Sequence, residues 1–104
     1  MVDELERLAS FTVETFSPLV GNTFWVLSTD SETVTHLELT EAAVSPHGRP
    51  HVRPPFSLIF TGPANVPLPQ DTYLLRHEIL GDIPLFIVPI RADAELRSYQ
   101  AIFN

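Results

Sequence analysis

The sequence contains no cysteine and no lysine. Without cysteine there are no disulfides, thiolate nucleophiles, iron–sulfur clusters or cysteine-bound zinc. Without lysine there is no Schiff-base chemistry on a side-chain amine. No apolar run approaches the roughly 20 residues that a membrane-spanning helix needs. The opening stretch Met1-Val2-Asp3-Glu4-Leu5-Glu6-Arg7 has neither a basic start nor an apolar signal core. The expectation is a soluble, cytoplasmic protein. Basic residues are scarce: six arginines face thirteen acidic residues, for a net charge of −7. Phosphate neutralisation supplies most of a nucleic-acid binder's affinity, and anionic membranes attract basic segments, so neither is an expected partner.

What is present is a core. Hydrophobic residues make up 44% of the 104 positions, mostly Leu, Val, Phe and Ile rather than Ala. A chain of this size buries roughly two thirds of its unfolded surface and folds as one domain, here residues 1–104. Its first part, 1–21, reads as helical. Leu5 and Leu8 lie three apart behind an acidic first turn. A second helical stretch runs from about Val13 to Val20, with Thr12 as N-cap and Gly21 as terminator. Pro18, best placed in a first turn capped by Ser17, predicts a kink within it.

From residue 22 onward the spacing becomes strand-like. Thr23–Ser28, a polar turn at Thr29-Asp30-Ser31-Glu32, and Thr33–Thr40 form a hairpin. Leu37 and Leu39 share one face of it, His36 and Glu38 the other. A proline-bearing stretch, Ser45–Pro55, separates this hairpin from the strand Phe56–Thr61, which Gly62-Pro63 closes. After Pro67 and Pro69 comes the strand Thr72–Ile79, with a hairpin turn at Leu80-Gly81-Asp82. Pro84 predicts an edge or a bulge. Leu85-Phe86-Ile87-Val88 is apolar on both faces and predicts a central position. Ser98–Phe103 is the last strand. The expectation is a mainly β fold: a small antiparallel barrel or sandwich of about six strands, one opening covered by one or two short N-terminal helices.

Residues of interest recur along this frame. They are Phe16 with Leu19-Val20-Gly21 and Phe24; Pro55-Phe56-Ser57-Leu58-Ile59-Phe60 with Gly62-Pro63; and Leu68-Pro69-Gln70 with Tyr73 and His77. Leu80-Gly81, Leu85-Phe86-Ile87-Val88-Pro89 and Tyr99-Gln100-Ala101-Ile102-Phe103-Asn104 complete the set. The combination resembles a family of small bacterial β-rich proteins of similar length and no assigned function, loosely associated with phage-tail-like collar and fibre genes. The resemblance implies no catalytic residues. It implies incorporation into a phage-like particle as an alternative to a free cytoplasmic existence. The loop Ser45–Arg53 lies outside the shared pattern.

His47 and His51 are four apart, but Gly48 and Pro50 intervene, so they do not form the helical histidine pair of a zincin. With Arg49 and Arg53 they place four potentially cationic groups within seven residues, suited to a carboxylate, a phosphate or an acidic partner. Ser57 and His77 fall in different strands, without the tight nucleophile turn of a hydrolase. Glu38 with Glu41, and Asp93 with Glu95, are spaced for solvated strands and turns rather than for paired-carboxylate catalysis. Gly62 and Gly81 read as turn residues. Tyr73, Tyr99 and His77 read as buried rings whose polar atoms find partners. No catalytic residue, cofactor or metal is therefore expected. The reading is a non-enzymatic interaction or assembly module, binding another protein or itself, with the strand ending at Asn104 available to pair if it lies at an edge. The alternative is a small-molecule or anion binder using the barrel mouth and the loop 45–55 that holds His47, Arg49, His51 and Arg53.

Overall fold

The computed structural model describes residues 8–45 and 54–103. Residues 8–10 are helical, followed by a helical turn at Val13–Phe16 and a 3-10 turn at Ser17–Leu19. Thr12 is the N-cap of the first turn. Its backbone N–H donates to Thr15 Oγ1 at 3.0 Å, and the Thr15 N–H returns to the Thr12 carbonyl. The kink falls where Pro18 requires it, although Ser17 is the first residue of the 3-10 turn rather than its cap. Gly21, at φ +95°, ends the segment, and its N–H donates to the Leu39 carbonyl at 2.7 Å.

Six strands follow: β1 (Thr23–Leu27), β2 (Thr33–Val44), β3 (Phe56–Pro63), β4 (Asp71–His77), β5 (Gly81–Ala92) and β6 (Leu96–Phe103). They close into an antiparallel barrel in the order β1-β2-β3-β6-β5-β4, with β4 pairing back onto β1. The barrel alternative is therefore the correct one. Each strand sends alternate side chains inward, as period-2 geometry demands. Phe24, Val26, Leu37, Leu39, Phe56, Leu58, Phe60, Leu75, Ile83, Leu85, Ile87 and Tyr99 are all at most 3% exposed. Aromatic rings meet across the interior: Phe24 lies edge-on to Phe60, and Phe56 stacks on Phe103. Phe16 packs against both Phe56 and Phe103, with Phe11 edge-on to it. The N-terminal turns thus plug one barrel opening.

Several local expectations change once the strands are assembled. The last strand is not an edge: β6 lies between β3 and β5. Pro84 is laddered to Leu74 of β4, whereas the β5–β6 ladder starts only at Val88 opposite Gln100. Proline is thus accommodated where β5 has a ladder partner on one side alone. The run Leu85–Val88 is not covered on both faces. Leu85 and Ile87 point inward, while Phe86 remains 52% exposed. The turn after β4 is Glu78-Ile79-Leu80, two residues earlier than expected, and Gly81 at φ +75° pairs with His77 at its foot. Gly62 is not a turn residue. It sits inside β3 opposite Arg97, and a Cβ there would lie 2.5 Å from Leu37 Cδ2 and 3.3 Å from the His36 carbonyl oxygen. Close approach inside the barrel is the reason for glycine at this position.

Two substitutions test this packing. Gly62→Ala should destabilise the domain by about 1–3 kcal/mol, because Leu37 is fully buried and must leave its rotamer to make room. Tyr99→Phe should cost about 1–3 kcal/mol, since the buried Tyr99 hydroxyl accepts the Leu68 N–H at 3.1 Å and its loss strands that donor. Chemical denaturation of the two variants measures both.

Candidate functional site

The four residues singled out for partner or anion binding, His47, Arg49, His51 and Arg53, lie outside the described residues. The remaining candidate groups can be placed. Ser57 occupies an outward position on β3 and His77 an inward position on β4, so the barrel wall separates them and they form no nucleophile–base pair. Asp93 is a turn residue. Its Oδ1 accepts the N–H groups of Leu96 at 2.8 Å and Glu95 at 2.9 Å, and these bonds hold its carboxyl below the ordinary carboxylate range. Among the described residues, no three of His, Asp and Glu come together as a metal-binding group. No described helix is long and apolar enough to cross a membrane.

His77 is the titratable side chain that the fold draws inside. It is 3% exposed and lies 4.6 Å, centroid to centroid, from Phe24. Its Nδ1 accepts two backbone N–H groups, from Ile79 at 3.0 Å and Leu80 at 3.3 Å. An imidazole nitrogen that accepts twice carries no proton, so the neutral ring holds its hydrogen on Nε2. The Asn22 amide lies 3.2 Å from Nε2. The amide nitrogen Nδ2 is the atom placed there, and a flip of the amide, which leaves its shape unchanged, sets its oxygen to accept from Nε2–H. The ring therefore ties the β4–β5 turn to the end of the N-terminal segment. Burial lowers the His77 pKa from its ordinary 6.5, with Glu78 opposing weakly. The imidazole is a structural bridge, in keeping with its reading as a hydrogen-bonded buried ring.

Because the folded state resists protonation of His77, its contribution to stability is intact above about pH 6.5. That contribution falls as pH drops from there toward the lowered folded pKa, since only the unfolded chain takes up the proton readily. Thermal melts should thus show a fall in Tm between neutral and mildly acidic pH that is smaller in His77→Gln.

Function is better sought on the outer surface. The outward positions of β5, β6 and β3 include Phe86, Val88, Gln100, Ile102, Ser57 and Ile59, with no charged side chain among them. The register sets Val88 opposite Gln100, Gln100 opposite Ile59, and Ile102 opposite Ser57. Phe86 is 52% and Ile102 59% exposed, and both line one open cleft between β5 and β6 beyond the end of their ladder. In a chain of net charge −7, this is a wall of apolar surface without charge. Composition could not locate it, because Phe86 and Ile102 sit in strands whose apolar residues all look alike until inward and outward faces are assigned.

A family model matches residues 11–103, nearly the whole chain. The protein belongs to DUF6916, a domain of unknown function. The match begins at Phe11, so the residues that plug the barrel and all six strands are part of the family domain. The DUF6916 match bears out the resemblance to a small domain family without assigned activity. No curated protein matches the chain. No solved structure matches it either.

Proposed function

We propose that this DUF6916 domain is a non-enzymatic assembly module whose β3-β6-β5 outer wall packs against a second copy of the chain. The observation that carries the reading is the exposed, uncharged surface centred on Phe86 and Ile102. Two strongly acidic copies repel each other unless they meet through a neutral face, and this wall offers one. A two-fold contact needs a self-complementary patch, which a row of Val88, Gln100 and Ile59 flanked by Phe86 and Ile102 supplies. The filled interior also favours assembly over a ligand held in the barrel mouth, because aromatic side chains occupy the space such a ligand would need.

The finer version places the module in a bacterial phage-tail-like structure as an accessory component, and rests on the family resemblance. A free cytoplasmic existence before assembly is consistent with the acidic, lysine-free composition. Light scattering on the purified protein tests the proposal. The expected result is a dimer that Phe86→Glu or Ile102→Glu converts to a monomer, with Tm little changed because both residues are exposed. A wild-type monomer at all accessible concentrations would remove self-association. Recovery of a stoichiometric complex with the neighbouring gene's product would then transfer the wall to a different protein.

A further inference from the structure

A second outer wall, on β1, β2 and β3, has the opposite character. Cross-strand register builds a polar row in which Glu38 of β2 has Thr23 of β1 on one side and Thr61 of β3 on the other. With neighbouring strands about 4.8 Å apart, two hydroxyls flank one carboxylate along a nearly straight line. The next outward row begins with Trp25 directly opposite His36. Beyond Glu38–Thr61 the β2–β3 ladder stops, while Pro63 remains paired with Leu96 of β6. The strands part there. The resulting groove has a volume of about 540 Å³ and is lined by Thr23, Glu38, Thr61 and His36, with Pro63 and Leu96 on its far bank and Glu95 beside them.

Trp25 is a neighbour of the groove rather than part of its lining: it lies two residues along the same strand face from Thr23, opposite His36, and is 37% exposed. The next residue across from Trp25 is Arg76, whose guanidinium is held by both carboxylate oxygens of Asp82 at 2.7 and 3.0 Å. The groove lining itself holds Glu38 and Glu95 and no arginine. An anionic ligand would meet two carboxylates there, and two flanking guanidiniums are engaged elsewhere: Arg76 with Asp82, and Arg97, opposite Gly62, with the Ala64 carbonyl at 3.2 Å.

We infer that this groove binds a neutral saccharide. A pyranose has a C–H face that packs on flat apolar surface and a rim of hydroxyls that need paired donors and acceptors. His36, Pro63 and Leu96 in the lining supply the first, with Trp25 adjacent to His36, and the row of Thr23, Glu38 and Thr61 the second. The site is independent of the β3-β6-β5 wall, and it differs from the barrel-mouth and loop 45–55 location that sequence reasoning assigned to a small ligand. The volume lies within the range of about 300–1,000 Å³ typical of small-molecule clefts.

Trp25 is the single tryptophan of the chain, so its fluorescence reports on the groove without labelling. The test is titration of the full chain with cellotriose, maltotriose, chitotriose, trigalacturonate and trilysine, with binding mapped by amide chemical shifts. The expected result is a saturable fluorescence change with at least one of the three neutral trisaccharides, and shifts at Thr23, His36, Glu38 and Thr61. Glu38→Gln and Thr61→Val, both at outward positions, should weaken that binding about tenfold or more, with amide shifts of the core unchanged. Silence from all three neutral sugars overturns the inference. Preferential binding of trigalacturonate or of trilysine, or shifts that map elsewhere on the barrel, overturns it equally.

Discussion

Three residue pairs join Trp25, Val26 and Leu27 of β1 to Arg76, Leu75 and Leu74 of β4, and by doing so close the sheet on itself. Closure removes both free edges and gives every strand a concave and a convex face. It also limits the interior volume. Six short strands enclose only enough room for side chains, so the inside must be filled to the density of a normal core. Phe24, Phe60, Phe56 and Phe103 fill it by edge-on and stacked contacts, and the Phe16 ring completes the packing from the N-terminal side. Gly62 belongs to the same constraint. Leu37 fits the interior because the neighbouring β3 position has no side chain to oppose it.

Polar groups enter this interior only where they bind backbone. The Tyr99 hydroxyl takes the N–H of Leu68, in the connection between β3 and β4, and His77 takes two N–H groups from the β4–β5 turn. Each satisfies donors that a loop folded over an apolar barrel would otherwise leave bare. Side chains that in isolation invite a catalytic interpretation are thereby committed to holding loops in place. No described buried side-chain nitrogen or oxygen is left without a partner.

The convex surface of this domain is not uniform. On β3, β6 and β5 the patch formed by Ser57, Ile59, Phe86, Val88, Gln100 and Ile102 is apolar or uncharged. On β1, β2 and β3 hydroxyls, carboxylates, an imidazole and an indole are arranged beside a parting of strands. The two walls share β3 and, through Leu96, the start of β6, while Thr23, His36 and Glu38 lie on β1 and β2 away from Phe86 and Ile102. A module that docks by one wall and binds a sugar by the other would couple attachment to recognition.

Much of this fold was legible in the sequence, because it depends on local periodicity. Alternation at Phe56, Leu58 and Phe60, glycine after Leu19-Val20, and polar turns at intervals predict strands, a helix stop and hairpins whatever surrounds them. The composition likewise excluded thiol and Schiff-base chemistry outright. What the sequence could not determine was adjacency. Backbone hydrogen bonds are the same for every residue, so only the packing of the whole barrel decides that β6 enters between β3 and β5, or that β4 returns to β1. The uncovered face of Phe86, the reason for Gly62, and the alignment of Thr23, Glu38 and Thr61 all follow from that register. These residues are far apart in the chain. Their chemistry is written in the sequence, but their proximity is a property of the closed barrel.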